Sequence, residues 1–312
     1  MATPDAVRTE SAPAGGSPRW RRVLRAAPDK ARRGYVRAVE AGLRRHTADA
    51  PVFSSKTFVS NAFHVYKKWK SMEGPMDLQM ISLTQPKRPE LLWLTGYRVS
   101  IIPGGQVSQE FMCHNNLDLK AAEHAKMFGW TNEFKGISGR NRVFTLSQGQ
   151  FDVALPEGFG IPIRSDEELR LTTQVLNHNE ENPDVQVRHQ VEISYARDAD
   201  LEAPLRPLYQ QPVFVMASLE DTDVYWGVAD PDAAQEGSSC AVGEHKGLDG
   251  HIYKDEFGRK FTGHWVVKPG REVRRTLVTE QLDLTFDTRI HFIGVHLHPF
   301  AESLTLRDLT TG

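Results

Sequence analysis

From residue 52 onward apolar and polar positions alternate with a period of two, the spacing of side chains on a half-buried strand. LLWLTGYRVSII (91–102) mixes β-branched and aromatic residues and breaks at Pro103-Gly104-Gly105. Further strand-like runs are RVFTL (142–146), FDVAL (151–155), LRLTTQVLN (169–177), VQVRHQVEISYA (185–196) and PVFVMASL (212–219). HWVV (264–267), EVRRTLVT (272–279), LDLTF (282–286), RIHFIGVHLH (289–298) and SLTLRDL (303–309) continue the series. Turns with Asn, Asp, Gly and Pro, such as ALPEGFGIP and VKPGRE, punctuate them. Many short strands with hardly any helical stretch between them predict an all-β sandwich or barrel. At 312 residues the chain has room for two such units in tandem, with a boundary near the three prolines of DADLEAPLRPLYQQP. The predicted domains are therefore 51–203 and 204–312. The polar, glycine-rich stretch 229–263 is a long connection that functional loops often resemble.

The N-terminus follows a different pattern. Residues 1–18 are rich in Ala, Pro, Gly, Ser and Thr and read as a disordered tail. Asp29 can cap a helix over Lys30–His46 that places Tyr35, Val36, Val39 and Leu43 on one face. Residues 1–50 hold 11 basic and 5 acidic side chains, so the body carries the compensating negative charge that gives a net of −2. An amphipathic helix docked on the body is preferred to a membrane-surface or nucleic-acid arm, because its apolar stripe is short. Near-neutral charge argues against a general nucleic-acid binder. No apolar run reaches the ~20 residues of a membrane span. No secretory leader is visible, so a cytoplasmic location is the default expectation.

Two cysteines, Cys113 and Cys240, allow one bridge or none and no thiolate-rich cage. There is no Gly-x-Ser-x-Gly elbow, phosphate loop, Cys-x-x-Cys pair or carboxylate dyad. Histidine carries the chemical signal instead. In RIHFIGVHLHPF, His296 and His298 project from one side of an extended chain, close enough to share a metal ion. His291 falls on the opposite side unless a bulge intervenes. A nitrogen-rich site suits copper, zinc and iron, and the Irving–Williams order favours copper. QEFMCHNNLDLKAAEHAKMFGW adds His114 and His124, with a helical turn over 119–128 expected to bring His124 toward the strand carrying His114. His178 ends LTTQVLNHN. The bland alternatives are hydrogen-bonded structural histidines at His114 and His124, and an exposed strand-end residue at His178. Trp226, Trp265 and Phe300 are aromatic candidates to line a cleft, or ordinary core.

Three segments give the chain a family resemblance. HAKMFGW (124–130) resembles a His-His-Met-Leu-Leu-Phe-Gly stretch; LPEGFGIPIRSDEELRLTTQVLNHN (155–179) resembles a Leu-Pro-Lys-Gly turn and a strand ending Leu-Gln-Val-His; VHLHPF (295–300) resembles a Val-His-x-His strand. In this order they resemble the copper type II, ascorbate-dependent monooxygenases, the peptidylglycine alpha-hydroxylating and dopamine beta types. The resemblance implies two jelly-roll-like sandwiches, each with one copper, that hydroxylate a substrate C–H bond using dioxygen and ascorbate. The substrate would be a small molecule or peptide. It implies that His296 and His298 bind the oxygen-activating copper, and that His124 and a strand-end histidine, His178, bind the other. Where the family has His-His this chain reads Glu123-His124, and His114 is included because it lies close in sequence. No Met follows Met216, so the resemblance implies a chain cut short in its second sandwich. Two other readings stay open. One is a non-catalytic metal-binding or partner-binding β-sandwich. The other is a cupin-like single-metal enzyme in which His264 or Glu302 converges on His296.

Overall fold

The computed structural model describes residues 53–69, 73–85, 87–105, 107–120, 124, 142–219, 224–228, 252–282, 289–298 and 300–310. The expected tail, the helix over 30–46 and most of the turn over 119–128 lie outside these residues, as does most of LDLTF. The described chain is mainly β. Its first eleven strands are β1 (Ser54–Val59), β2 (Phe63–Val65), β3 (Met76–Ile81), β4 (Leu91–Ile102), β5 (Met112–Leu119), β6 (Arg142–Ser147), β7 (Asp152–Ala154), β8 (Phe159–Arg164), β9 (Leu169–Val175), β10 (Val185–Arg197) and β11 (Arg206–Pro207).

Alternation decides how they assemble. In β10 the even-spaced Val187, His189, Val191 and Ile193 are buried while Gln186, Arg188 and Gln190 are exposed. One side of the strand must therefore be covered. Seven strands form one sheet in the order β1-β10-β4-β8-β11, with β2 also on β10 and β7 also on β4. Four form a second sheet in the order β3-β9-β5-β6. Leu92, Leu94, Val99, Val191 and Ile193 of the larger sheet share one core with Leu117, Leu146, Leu169 and Leu171 of the smaller. This is a β-sandwich, and each such aliphatic side chain contributes roughly 1.5–3 kcal/mol by leaving water.

A polar chain crosses that core. The Tyr97 hydroxyl on β4 donates to Asn115 Oδ1 on β5. Asn115 Nδ2 donates to His189 Nδ1 on β10 at 3.1 Å. It ties the two sheets at one level, since buried polar groups need partners.

After Pro207 the ladders are fewer. β12 (Ala217–Ser218), β13 (Ile252–Lys254) and β14 (Lys260–Thr262) form a three-stranded sheet in the order β12-β14-β13. Met216, Trp226 and Phe261 make a small core beside it. Arg259 braces it, pairing with Asp255 and donating to the carbonyls of Tyr225 and Val228. The expected strand over 212–219 contracts to two residues, and those over 264–267, 289–298 and 303–309 join no ladder. Of 272–279 only Thr276 makes a bridge, to Trp226. The described residues of this half do not assemble a second sandwich. No helix among the described residues is long and apolar enough to cross a membrane.

Candidate metal centre

The outer face of the smaller sheet is built by register. β5 carries a bulge: Met112 pairs with Val175 and His114 with the next residue back, Gln174, leaving Cys113 extra. Without the bulge His114 would share a face with Met112, which is fully buried in the core. The bulge frees His114 to point outward, the usual use of this device near a site. From there strict alternation sends His114, Asn116 and Asp118 outward and Asn115, Leu117 and Leu119 inward. On the neighbouring β6, Ser147 lies opposite His114, Thr145 opposite Asn116, and Arg142 opposite Asp118.

Residues 289–298 form a strap without ladder partners, and its C-terminal end reaches this face. His291 sits at one end against Phe159 of β8, ring centroids 4.6 Å apart, with Arg206 stacked on the same phenyl ring. At the other end β6 takes hold of the chain. Ser147 Oγ donates to the Leu297 carbonyl at 2.6 Å, and Thr145 Oγ1 lies 2.8 Å from His296 Nδ1. The strap therefore spans from the larger sheet to the smaller one and brings the His-x-His pair over His114.

Three imidazoles meet there. The ring of His114 stacks on His296 with centroids 4.8 Å apart, and lies 5.2 Å from His298. Nε2 of His296 and Nε2 of His298 are 3.2 Å apart. One ligand nitrogen from each of the three residues falls within 4.8 Å of the others. With metal–nitrogen bonds of about 2.0–2.1 Å, two tetrahedral ligand nitrogens lie about 3.3 Å apart. His296 and His298 already stand at that bite, and His114 completes the triad by closing no more than about 1.5 Å.

The electrostatics keep these rings neutral. Burial, then the neighbouring His296 and His298, push His114 down to about 3. Burial, then His298 and Arg142, bring His296 to about 3. Burial, then the nearby His178, lower His298. Neutral imidazoles present lone pairs, the form a metal ion needs. The nearest clustered acid is spoken for: Asp118, 1% exposed, accepts from both Arg142 (2.9 Å) and Arg170 (3.0 Å).

The other sequence candidates go elsewhere. His124 is buried against Glu167, Nδ1 to Oε1 2.8 Å, beyond the far end of β5. Five strand residues, about 16 Å, separate that end from His114. His178 is exposed beside Asn177 and Asn179, reaching the centre only through its charge on His298. His291 packs on Phe159, outside the cluster. Glu302 faces Arg271 at 4.0 Å, whereas the charge of His264 is felt at His114. Trp226 belongs to the small core, Trp265 is half-buried, and Phe300 is 92% exposed. Cys113 is buried in the sheet, its Sγ 2.9 Å from His114 Nδ1. Sequence reasoning missed Asn116, Thr145 and Ser147. For Asn116 the available signal was its alternation with His114 along β5; Thr145 and Ser147 enter through the β5–β6 register. No protein-family model matches the chain, and no curated protein matches it.

Proposed function

We propose that the protein holds a single first-row transition metal on His114, His296 and His298, and that copper is the ion. The nitrogen-only, neutral donor set supports this, since such sites follow the Irving–Williams order. We further propose that the protein uses it as the copper monooxygenases do, hydroxylating a small-molecule or peptide C–H bond with dioxygen and an ascorbate-type reductant. A bound copper supplies one-electron chemistry toward dioxygen. The chain's own contributions are then distinct. His114 is delivered by a rigid strand, whereas His296 and His298 arrive on the strap. Thr145 engages the Nδ1 atom of His296, which leaves its Nε2 for the ion, while Cys113 Sγ packs against Nδ1 of His114. The proposal extends to two jelly-roll-like units in tandem, the small sheet β12–β14 belonging to the second.

The convergence of three imidazoles carries this reading. One observation favours a second reading, a metal-binding sandwich without monooxygenase activity. His124, the expected ligand of the electron-supplying copper, is committed to Glu167, and no other triad of ligands is assembled among the described residues. Metal analysis of the purified chain after copper loading and desalting separates the readings. About one equivalent of copper, lost in His296→Ala, together with ascorbate-driven oxygen uptake that also disappears, is the expected result. Copper without oxygen uptake selects the second reading, and failure to retain copper overturns both.

A further inference from the structure

The hydrogen bonds around Thr145 have a direction. A threonine hydroxyl carries one proton, and Asn116 Oδ1 is acceptor only. Thr145 Oγ1 donates to that oxygen at 2.7 Å. Its proton is then committed, so at the 2.8 Å contact with His296 the Thr145 oxygen accepts and Nδ1–H of the ring donates. That leaves Nε2 of His296 as the lone-pair nitrogen, and Nε2 is the atom 3.2 Å from His298 Nε2. Asn116 and Thr145 are direct cross-strand partners on β5 and β6, so the backbone ladder fixes their spacing. Asn116 is nearly buried, which shields the pair from water that would scramble its direction.

We infer that Asn116 and Thr145 form a two-residue relay that sets the tautomer of His296, making them positioning residues for the metal centre. The assignment deepens the metal-binding reading and rests on it for its functional consequence, but the tautomer itself belongs to the metal-free chain. Two consequences follow from the direction of the relay. Thr145→Val, equal in shape, removes the acceptor, whereas Thr145→Ser keeps it. Asn116→Leu leaves the Thr145 hydroxyl in place but removes its acceptor. The freed O–H then turns to donate to Nδ1, placing the ring proton on Nε2 where the metal should bind. A merely structural hydroxyl, or one acting only through packing, does not behave this way.

The test has two arms on the intact chain. Nitrogen chemical shifts of the metal-free protein, with His296 assigned by its loss in His296→Ala, report the tautomer directly. The expected signal is Nδ1–H in the wild type and Thr145→Ser, and Nε2–H in Asn116→Leu. Copper(II) titration then gives affinity. Partners of this kind are worth about 10–100-fold in metal affinity, so Thr145→Val and Asn116→Leu should both weaken binding by that range, and Thr145→Ser by less than about threefold. Circular dichroism checks that each variant is folded. Should Asn116→Leu fail to fold, the wild-type tautomer and the Val/Ser contrast at residue 145 still decide. An Nε2–H wild type, or Thr145→Val binding copper like the wild type, overturns the relay. A wild type with Nδ1–H that retains no copper overturns the metal-binding reading and leaves the relay standing.

Discussion

Among the histidines whose pKa burial lowers, His189 adds to the acid sensitivity of the sandwich from inside its core. It is fully buried on β10, takes a hydrogen bond at Nδ1 from Asn115, and leaves its Nε2 without a partner. Burial drives its pKa down from 6.5 to about 3, with the Asp77 charge opposing weakly. The unfolded chain therefore binds a proton at this site below pH 6.5 that the folded chain refuses until about pH 3. Its contribution to stability is complete above pH 6.5 and is lost progressively as pH falls through that window. At about 1.4 kcal/mol per pH unit, the loss for this group alone approaches 2 kcal/mol at pH 5. Urea unfolding at pH 7 and pH 5 measures it. His189→Gln, neutral at both, should flatten the difference by about that amount; an unchanged slope would show that other groups carry the acid sensitivity. Asp118 shows the opposite use of burial. There the buried carboxylate is fully partnered, accepting from the guanidinium groups of Arg142 and Arg170.

At the scale of elements, two neighbouring strands of one sheet have unlike tolerances. β3 is an edge strand whose Met76, Leu78 and Met80 are exposed while Asp77 and Gln79 are half-buried, the reverse of ordinary alternation. The half-buried polar side is used: Asp77 accepts from the backbone and side chain of Asn61, and Gln79 donates to the Val59 carbonyl, tying the edge to the end of β1. Beside it β9 sends Leu171 wholly into the core. Leu171→Ala should cost about 2–5 kcal/mol in denaturant unfolding, whereas Leu78→Lys should shift stability by less than about 0.5 kcal/mol and add a charge that blunts the open edge. The same contrast explains what the sequence made legible. β4, β6 and β10 match their expected spans closely because apolar alternation coincided with available backbone partners. VHLH alternates equally well, yet residues 289–298 pair with no strand. Alternation records which side chains share a side; it does not supply a neighbour for the backbone N–H and C=O groups. The expectation that His296 and His298 face the same way survives this, because it requires only an extended chain. The bulge at Cys113 left no mark on the pattern, so the pairing of His114 with that site could be read only from the ladder.

For the whole molecule, the candidate centre joins two parts that, among the described residues, share few other contacts. His114 belongs to a strand hydrogen-bonded on both sides, by β9 and β6. His296 and His298 belong to a strap anchored by Ser147, by Thr145 and by the contact of His291 with Phe159. Ile290, Phe292 and Ile293 are exposed, so apolar burial does little to fasten it. Such segments open locally at low free energy. A metal ion bound by all three rings adds a cross-link between strap and sheet, and binding to the closed form stabilises that form by RT ln(1 + [L]/Kd), about 2.7 kcal/mol at a hundredfold excess over Kd. A protease that cuts within 289–298 from the opened form should then do so about a hundredfold more slowly with copper than without it, while cuts inside β10, governed by global stability, change less. In His114→Ala the pair on the strap still chelates copper but no longer ties it to β5, so the metal-induced protection should vanish even where some copper is retained. Equal protection in that variant would mean that His296 and His298 hold the ion alone and that the sheet contributes no ligand.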